Sequence, residues 1–165
     1  MNGTKYYGAY STVVSATTKV AAPAGVKATT SSVSKIEVSW NAVNGATGYQ
    51  VWRGTSATGS FTALGSVTTT SRVSTGLSAG TTYYYKVRAY KKVDGARQYG
   101  NFSSVISGVT KPSAPGGVKA AVASATKVNV SWNAVTGATG YEVWRSESSG
   151  GSYVKLGAVT TTSRA

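Results

Sequence analysis

The sequence predicts an all-β chain built from tandem two-sheet sandwiches, and three observations carry that prediction. The first is composition. Of the 165 residues, 41% are hydrophobic but only 13% are charged, about half the usual share of roughly 25%. Val, Thr, Tyr and Trp, which suit the half-buried face of a pleated sheet, fill the difference, and the 20 glycines mark turns. The second is a series of short segments that alternate apolar and polar residues with period two. The third is an internal repeat of 92 residues, the size of one β-sandwich.

The repeat is closest where VSWNAVNGATGYQVWRG (residues 38–54) returns as VSWNAVTGATGYEVWRS (residues 130–146). Trp40 maps to Trp132, Tyr49 to Tyr141, Trp52 to Trp144, Pro23 to Pro115 and Arg72 to Arg164, all without a gap. The same offset lays residues 2–19 on residues 94–111, so that Tyr7 meets Tyr99, Tyr10 meets Phe102 and Val13 meets Val105. Residues 1–20 therefore read as the C-terminal strand of a partial repeat. Residues 21–112 read as a complete domain, and residues 113–165 as the N-terminal part of a further repeat in which strand six is missing.

Within the complete repeat, Pro23 opens the unit and the stiff stretch TKPSAP (residues 110–115) closes it as a linker. A first strand is expected at about 26–30. A second covers about 35–40, where Ile36, Val38 and Trp40 alternate with Lys35, Glu37 and Ser39. A third covers about 48–53, with Tyr49 and Val51 on one side and Gln50 and Trp52 on the other. A fourth is expected near 61–65 and a fifth near 67–74. The sixth covers 82–91, with Tyr83, Tyr85, Val87 and Ala89 opposed to Tyr84, Lys86, Arg88 and Tyr90. Asp94–Gly95 then signals a hairpin turn, and a seventh strand is expected over about 102–110.

Seven short strands in about 90 residues, with a Trp on the second, point to the two-sheet sandwich. In VSW (residues 38–40), GYQVWR (48–53) and GLSAGTTYYYKVRAY (76–90) the chain resembles the fibronectin type III family, an immunoglobulin-like β-sandwich. Ala79 stands where the family signature L-x-P-G-T-x-Y carries Pro. The resemblance implies that Tyr83 is the corner tyrosine, its hydroxyl bonded back to the preceding loop. The spacing W-N-x-V-x-G-A-x-G-Y is similar to repeats of Gram-positive bacterial surface and cell-wall proteins. That likeness implies a structural or adhesive extracellular module at a bacterial cell surface; the absence of Cys fits such an exported protein and equally a designed chain.

Charge and residue inventory exclude several classes. With no Cys and no His there is no disulfide framework, zinc finger or His-based triad, and no metal site is expected. The carboxylates number four: Glu37, Asp94, Glu142 and Glu147. Glu142 and Glu147 are the only pair close in sequence, but Gln50 and Thr55 replace them in the complete repeat, so they read as solvated edge charges rather than a glycosidase pair. No phosphate-cradling glycine loop is present, and neither a cofactor nor an enzymatic activity is expected. The loop DGAR (residues 94–97) is not an integrin-type RGD, and the sequons at Asn2 and Asn101 matter only in a eukaryotic secretory pathway. No apolar run approaches the roughly 20 residues of a bilayer span, so membrane insertion is not expected. The net charge of +13 invites a nucleic-acid reading, yet the longest basic run is Lys91–Lys92 and no nucleic-acid motif appears. Anionic cell-wall polymers match the charge at least as well, and glycans are a further candidate partner.

Two sets of candidate residues follow. Alternation puts Trp52 on the outer side of the sheet that carries Tyr84, Lys86 and Arg88, a possible ligand-facing group of rings and cations. The bland alternative is that Trp52 covers the sheet beneath Arg and Lys stems. The second set concerns self-association. A partial sandwich over 116–165 would expose the inward sides of Val128, Val130, Trp132, Tyr141 and Val143 as an acceptor. A donor strand carrying Tyr6, Tyr7, Tyr10, Val13 and Val14 would lack a domain of its own. With modules joined end to end, donor and acceptor lie roughly 40 Å or more apart, at about 3.3 Å per extended residue. They would meet in trans, head to tail, giving filaments. Because strand seven normally pairs with strand six, a separate strand-six peptide resembling TTYYYKVRAY (residues 81–90) is an alternative partner.

Overall fold

The structure, a computed structural model, describes residues 3–14, 16 and 18–165. Thirteen strands and no helix form among the described residues. The first eight build one sandwich. Its smaller sheet has the order β1-β2-β5, from β1 (Lys27–Thr30), β2 (Ile36–Ser39) and β5 (Ser71–Ser74). The larger has the order β4-β3-β6-β7, from β3 (Gly48–Gly54), β4 (Phe61–Val67), β6 (Thr82–Val93) and β7 (Ala96–Phe102). The last strand, β8 (Ile106–Val109), pairs with the first part of β6, where Thr82 faces Val109 and Tyr85 faces Ile106.

Period-two alternation selects the core. Ile36 and Val38 from β2, Tyr49 and Val51 from β3, and Tyr83, Tyr85, Val87 and Ala89 from β6 meet between the sheets, with Trp40 and Leu77 closing the ends. Ile36, Val38, Val51 and Val87 are fully buried, each contributing about 1.5–3 kcal/mol relative to exposure. Trp40 packs edge-on to Tyr49 at 5.3 Å, and the Tyr49 hydroxyl accepts the Val43 N–H at 2.9 Å. The expected corner tyrosine is present: Tyr83 Oη accepts the Ser78 N–H at 2.9 Å.

Two strand expectations need correction. The fifth strand is only Ser71–Ser74, because residues 68–70 carry the chain from the larger sheet to the smaller one. Val67 and the three threonines after it have strand propensity, but no single sheet can hold a segment that changes sheets. The expected seventh strand over 102–110 is found only as β8 (Ile106–Val109), and an additional strand, β7 (Ala96–Phe102), precedes it on the same edge of β6. Between them the Ser103 hydroxyl accepts the Val87 N–H at 3.1 Å, taking over a ladder bond, and the β6–β7 register shifts between Arg88 and Tyr90. The hairpin turn falls where expected, with Asp94 at φ 50° and Gly95 at φ 80°, the paired left-handed conformation of a type I′ turn.

The junction after β8 is anchored. Thr110 is 2% exposed, and its Oγ1 donates to Ser78 O at 2.6 Å and accepts from Thr81 N at 3.0 Å. Lys111 O then accepts the Gly80 N–H at 3.0 Å. Beyond it lie β9 (Lys119–Ser124), β10 (Lys127–Ser131), β11 (Tyr141–Arg145), β12 (Val154–Val159) and β13 (Ser163–Arg164). Their pairings reproduce those of β1–β5. Tyr141 faces Val159 as Tyr49 faces Val67, Val130 faces Arg164 as Val38 faces Arg72, and the irregularity after Val51 recurs after Val143. The Trp132–Tyr141 ring pair has the same 5.3 Å separation and 60° angle as Trp40–Tyr49.

The N-terminal stretch precedes this sandwich. Its described residues form no strand in the single chain. Ser15, Thr17 and the Asn2 sequon position lie outside the described residues. Val20 packs on the core, and its carbonyl abuts Gly100 of β7.

Tyr83 and Tyr85 make a matched test of buried hydroxyls. Tyr85 is fully buried and its hydroxyl has no hydrogen-bond partner in the protein; the nearby Ser74 Oγ accepts from Arg53 at 3.2 Å. Tyr83→Phe leaves the Ser78 N–H without its acceptor and costs about 1–2 kcal/mol in urea unfolding, whereas Tyr85→Phe costs nothing measurable. Burial pushes the Tyr85 phenol above its ordinary value of 10.0, while the charge of the Arg53 guanidinium pulls it part of the way back. The folded chain holds that proton more tightly, so the stability it contributes is present below about pH 10 and lost as pH rises through the folded value. Tyr85→Phe therefore loses less stability than the parent chain between about pH 9 and pH 11.

Candidate functional site

The outer side of the β4-β3-β6-β7 sheet is built by the residues that alternation turns away from the core. Gln50 and Trp52 on β3 stand opposite Arg88 and Lys86 on β6, and Arg88 in turn stands opposite Phe102 on β7. Three strands thus bring a tryptophan, a phenylalanine and two cations into one row. Trp52 and Phe102 meet edge-on at 5.8 Å and 87°.

The cations lie over these rings. Lys86 Nζ is 4.4 Å from the Phe61 centroid and 4.6 Å from that of Phe102. The Arg88 guanidinium is 3.9 Å from Tyr99, 4.8 Å from Phe102 and 5.6 Å from Trp52. Gln50 locks the row. Its Oε1 accepts from Arg88 Nε at 2.9 Å, from Arg88 Nη2 at 2.7 Å and from Trp52 Nε1 at 3.1 Å. Toward the hairpin, Arg97 lies 4.6 Å over Tyr90 and donates to Ser66 Oγ at 3.0 Å. Each such contact is worth about 0.5–1 kcal/mol at an exposed site and more when desolvated.

No carboxylate shares this face. Glu37 is on β2 in the other sheet, Asp94 is in the β6–β7 turn, and Glu142 and Glu147 follow the junction. Among the described residues the single ion pair is Lys155–Glu142, at 2.5 Å. A hydrogen bond from Lys155, its charge, and a 3.3 Å bond from Trp144 Nε1 hold the Glu142 carboxyl below its usual range. That is the opposite of what a glycosidic general acid requires.

The expected ligand-facing group is gathered in part. Trp52, Lys86 and Arg88 come together, all half-buried, while Tyr84 faces Gly54 and Ser107 and joins no aromatic or cation–π pair among the described residues. The covering role of Trp52 beneath an arginine is realised as well. Phe61, Tyr99, Phe102 and Arg97 are additions that sequence reasoning missed. Counting back from the Asp94–Gly95 turn assigns Phe102 to the core side, opposite Val87. The register shift after Arg88 turns it outward.

The self-association residues are placed separately. Tyr6, Tyr7, Tyr10, Val13 and Val14 are 87–102% exposed. On the other side Val128 is 48% exposed and Val130 and Tyr141 are half-buried, but Trp132 and Val143 are each down to 9%. The two small sheets close on each other and cover these two residues from within the chain. A groove of about 590 Å³ remains, bordered by Val128, Val130, Val143, Trp144 and Leu156.

This sandwich has known relatives. The fibronectin type III domain model matches residues 21–104, and the chain belongs to that family. It is 33% identical over 146 residues to exoglucanase B of Cellulomonas fimi, covering 78% of this chain and 12% of that protein. It is 39% identical over 90 residues to a poly(3-hydroxybutyrate) depolymerase of Ralstonia pickettii, covering 54% and 17%. It is 30% identical over 146 residues to chitinase A1 of Niallia circulans, covering 78% and 19%. The chain thus spans less than a fifth of these relatives' lengths.

Trp52 and Trp144 occupy the same repeat position with and without β6 and β7 beside them, and their exposure follows: Trp52 is half-buried, Trp144 49% exposed. Trp52→Ala should lower stability by about 2–3 kcal/mol, from lost area and ring contacts. Trp144→Ala should change it by less than about 1 kcal/mol. Calorimetric unfolding of the two variants checks the contrast.

Proposed function

We propose that this chain is a non-catalytic spacer of an extracellular bacterial protein, setting the distance between the working parts of a polymer-degrading enzyme or a cell-surface stalk. The observation that carries the proposal is the strand register repeated at 92 residues across an anchored junction. Such a design adds length in fixed increments. The relatives favour this reading: an exoglucanase, a chitinase and a poly(3-hydroxybutyrate) depolymerase have different reactions by name, so their likeness to this chain is not in the chemistry. Absence of His and Cys points the same way. Small-angle scattering tests it. A single compact body of this length would have a radius of gyration of about 15 Å. A spacer gives a clearly larger value, above about 19 Å, with no turnover of cellulose or chitin. A value near the compact figure, or hydrolysis, overturns the proposal.

A second reading is favoured by the exposed tyrosines and valines at 6–14 and by the open groove after β10. In it, the N-terminal segment of one copy docks in the groove of the next, head to tail, and a peptide of residues 81–90 competes for the same place. Sedimentation across a concentration series then shows growing oligomers, and Tyr10→Asp with Val13→Asp returns the chain to a monomer without moving its unfolding midpoint. A monomer at every concentration, or undiminished association in the double variant, refutes this reading.

A further inference from the structure

We propose that the outer side of the β4-β3-β6-β7 sheet is a binding platform for an anionic polysaccharide, one whose sugars carry carboxylates. The inference does not depend on the spacer role. It rests first on charge. Lys86, Arg88 and Arg97 lie on one sheet face that holds no carboxylate, in a chain of net charge +13. Rings and the Gln50 amide hold these cations but do not neutralise them. Among the described residues, neither Lys86 Nζ nor the second terminal nitrogen of Arg88, Nη1, has a hydrogen bond to protein.

Preorganisation is the second ground. Lys and Arg side chains normally lose rotamer entropy when they bind, about 0.5–1.5 kcal/mol each. Here the cation–π contacts and the Gln50 bonds have already fixed Lys86 and Arg88 along the sheet. The third ground lies at the hairpin. Lys92 stands directly opposite Arg97 in the β6–β7 ladder, and like charges so placed repel. An anion between them turns that repulsion into attraction.

The form of the platform selects the polymer. Proteins that take single-stranded nucleic acid offer open ring faces on which bases stack. In this chain the rings meet edge-on, at 87° for Trp52–Phe102 and 63° for Tyr90–Tyr99, and guanidinium or ammonium groups cover their faces. A sheet face also offers no helix or ribbon to enter a duplex groove. What it offers is a row of fixed cations separated by apolar ring edges. That arrangement suits carboxylates alternating with the C–H surfaces of sugar rings, and a guanidinium fork pairs well with a carboxylate.

The test titrates the 165-residue chain with sodium polygalacturonate, following tryptophan fluorescence and calorimetric heat, beside neutral dextran and single-stranded poly-dT. Binding of polygalacturonate, weakening with added salt and at least tenfold tighter than dextran or poly-dT, is the expected result. Lys86→Gln with Arg97→Gln should reduce affinity at least tenfold. The charge-matched control Lys119→Gln with Lys127→Gln, on the exposed strands β9 and β10, should reduce it less than threefold. Unfolding midpoints within a few degrees of the parent confirm that both variants fold. Equal loss in the two variants means that net charge alone attracts the polymer and overturns the platform. Poly-dT binding as tightly as polygalacturonate, or no binding of polygalacturonate, overturns it too.

Discussion

The antiparallel seam between β3 and β6 is the constraint on which the rest of this molecule depends. Along it Tyr49 faces Ala89 and Val51 faces Val87, and these pairs close the core. The intervening pairs, Gln50 with Arg88 and Trp52 with Lys86, point the other way and found the cationic row. One register therefore sets both the apolar interior and the charged exterior. A slip by one residue would exchange the two sides, burying Lys86 and Arg88 and exposing Val51 and Val87. The cost of burying those charges makes the register unambiguous.

The segment after the junction shows what that seam contributes. Its strands reproduce the pairings of β1–β5, down to the irregularity after Val143 and the Trp132–Tyr141 ring geometry. Local pattern is therefore enough to form the hairpin and both sheet fragments. Burial is a different matter. Ile36 is fully buried and its counterpart Val128 is 48% exposed; Val51 is fully buried and Val143 is at 9%. These strand pairings form without β6 to β8, whereas full enclosure requires the side chains that β6 and β8 bring from further along the chain.

The sandwich itself does not confer a role, since one fold serves many. What distinguishes this chain is how its surface handles charge. Seventeen basic residues face four acidic ones, and on the larger sheet aromatic rings and an amide take the place of carboxylate partners. The cations are immobilised without being neutralised. The ordered array of uncompensated charge on the broadest sheet is the feature on which the proposed polysaccharide platform rests.

By itself the sequence determined the sandwich, the 92-residue period, the Asp94–Gly95 turn and the inward set on β2, β3 and β6, while the Tyr83 corner came from the family resemblance. The turn and the inward set follow from residues close together in the chain, read as turn chemistry and alternation, and the period follows from direct repetition. Tertiary structure alone decided the additional strand β7 before β8, the crossing at 68–70 and the outward turn of Phe102. It also decided that Tyr84 stands apart while Phe61, Tyr99 and Arg97 join Trp52, Lys86 and Arg88. These depend on a register shift opposite β6 and on a change of sheet, both set by the packing of strands distant in sequence. A period-two pattern gives the side on which a residue lies relative to its neighbours along one strand, but it carries no information on where the partner strand slips by one.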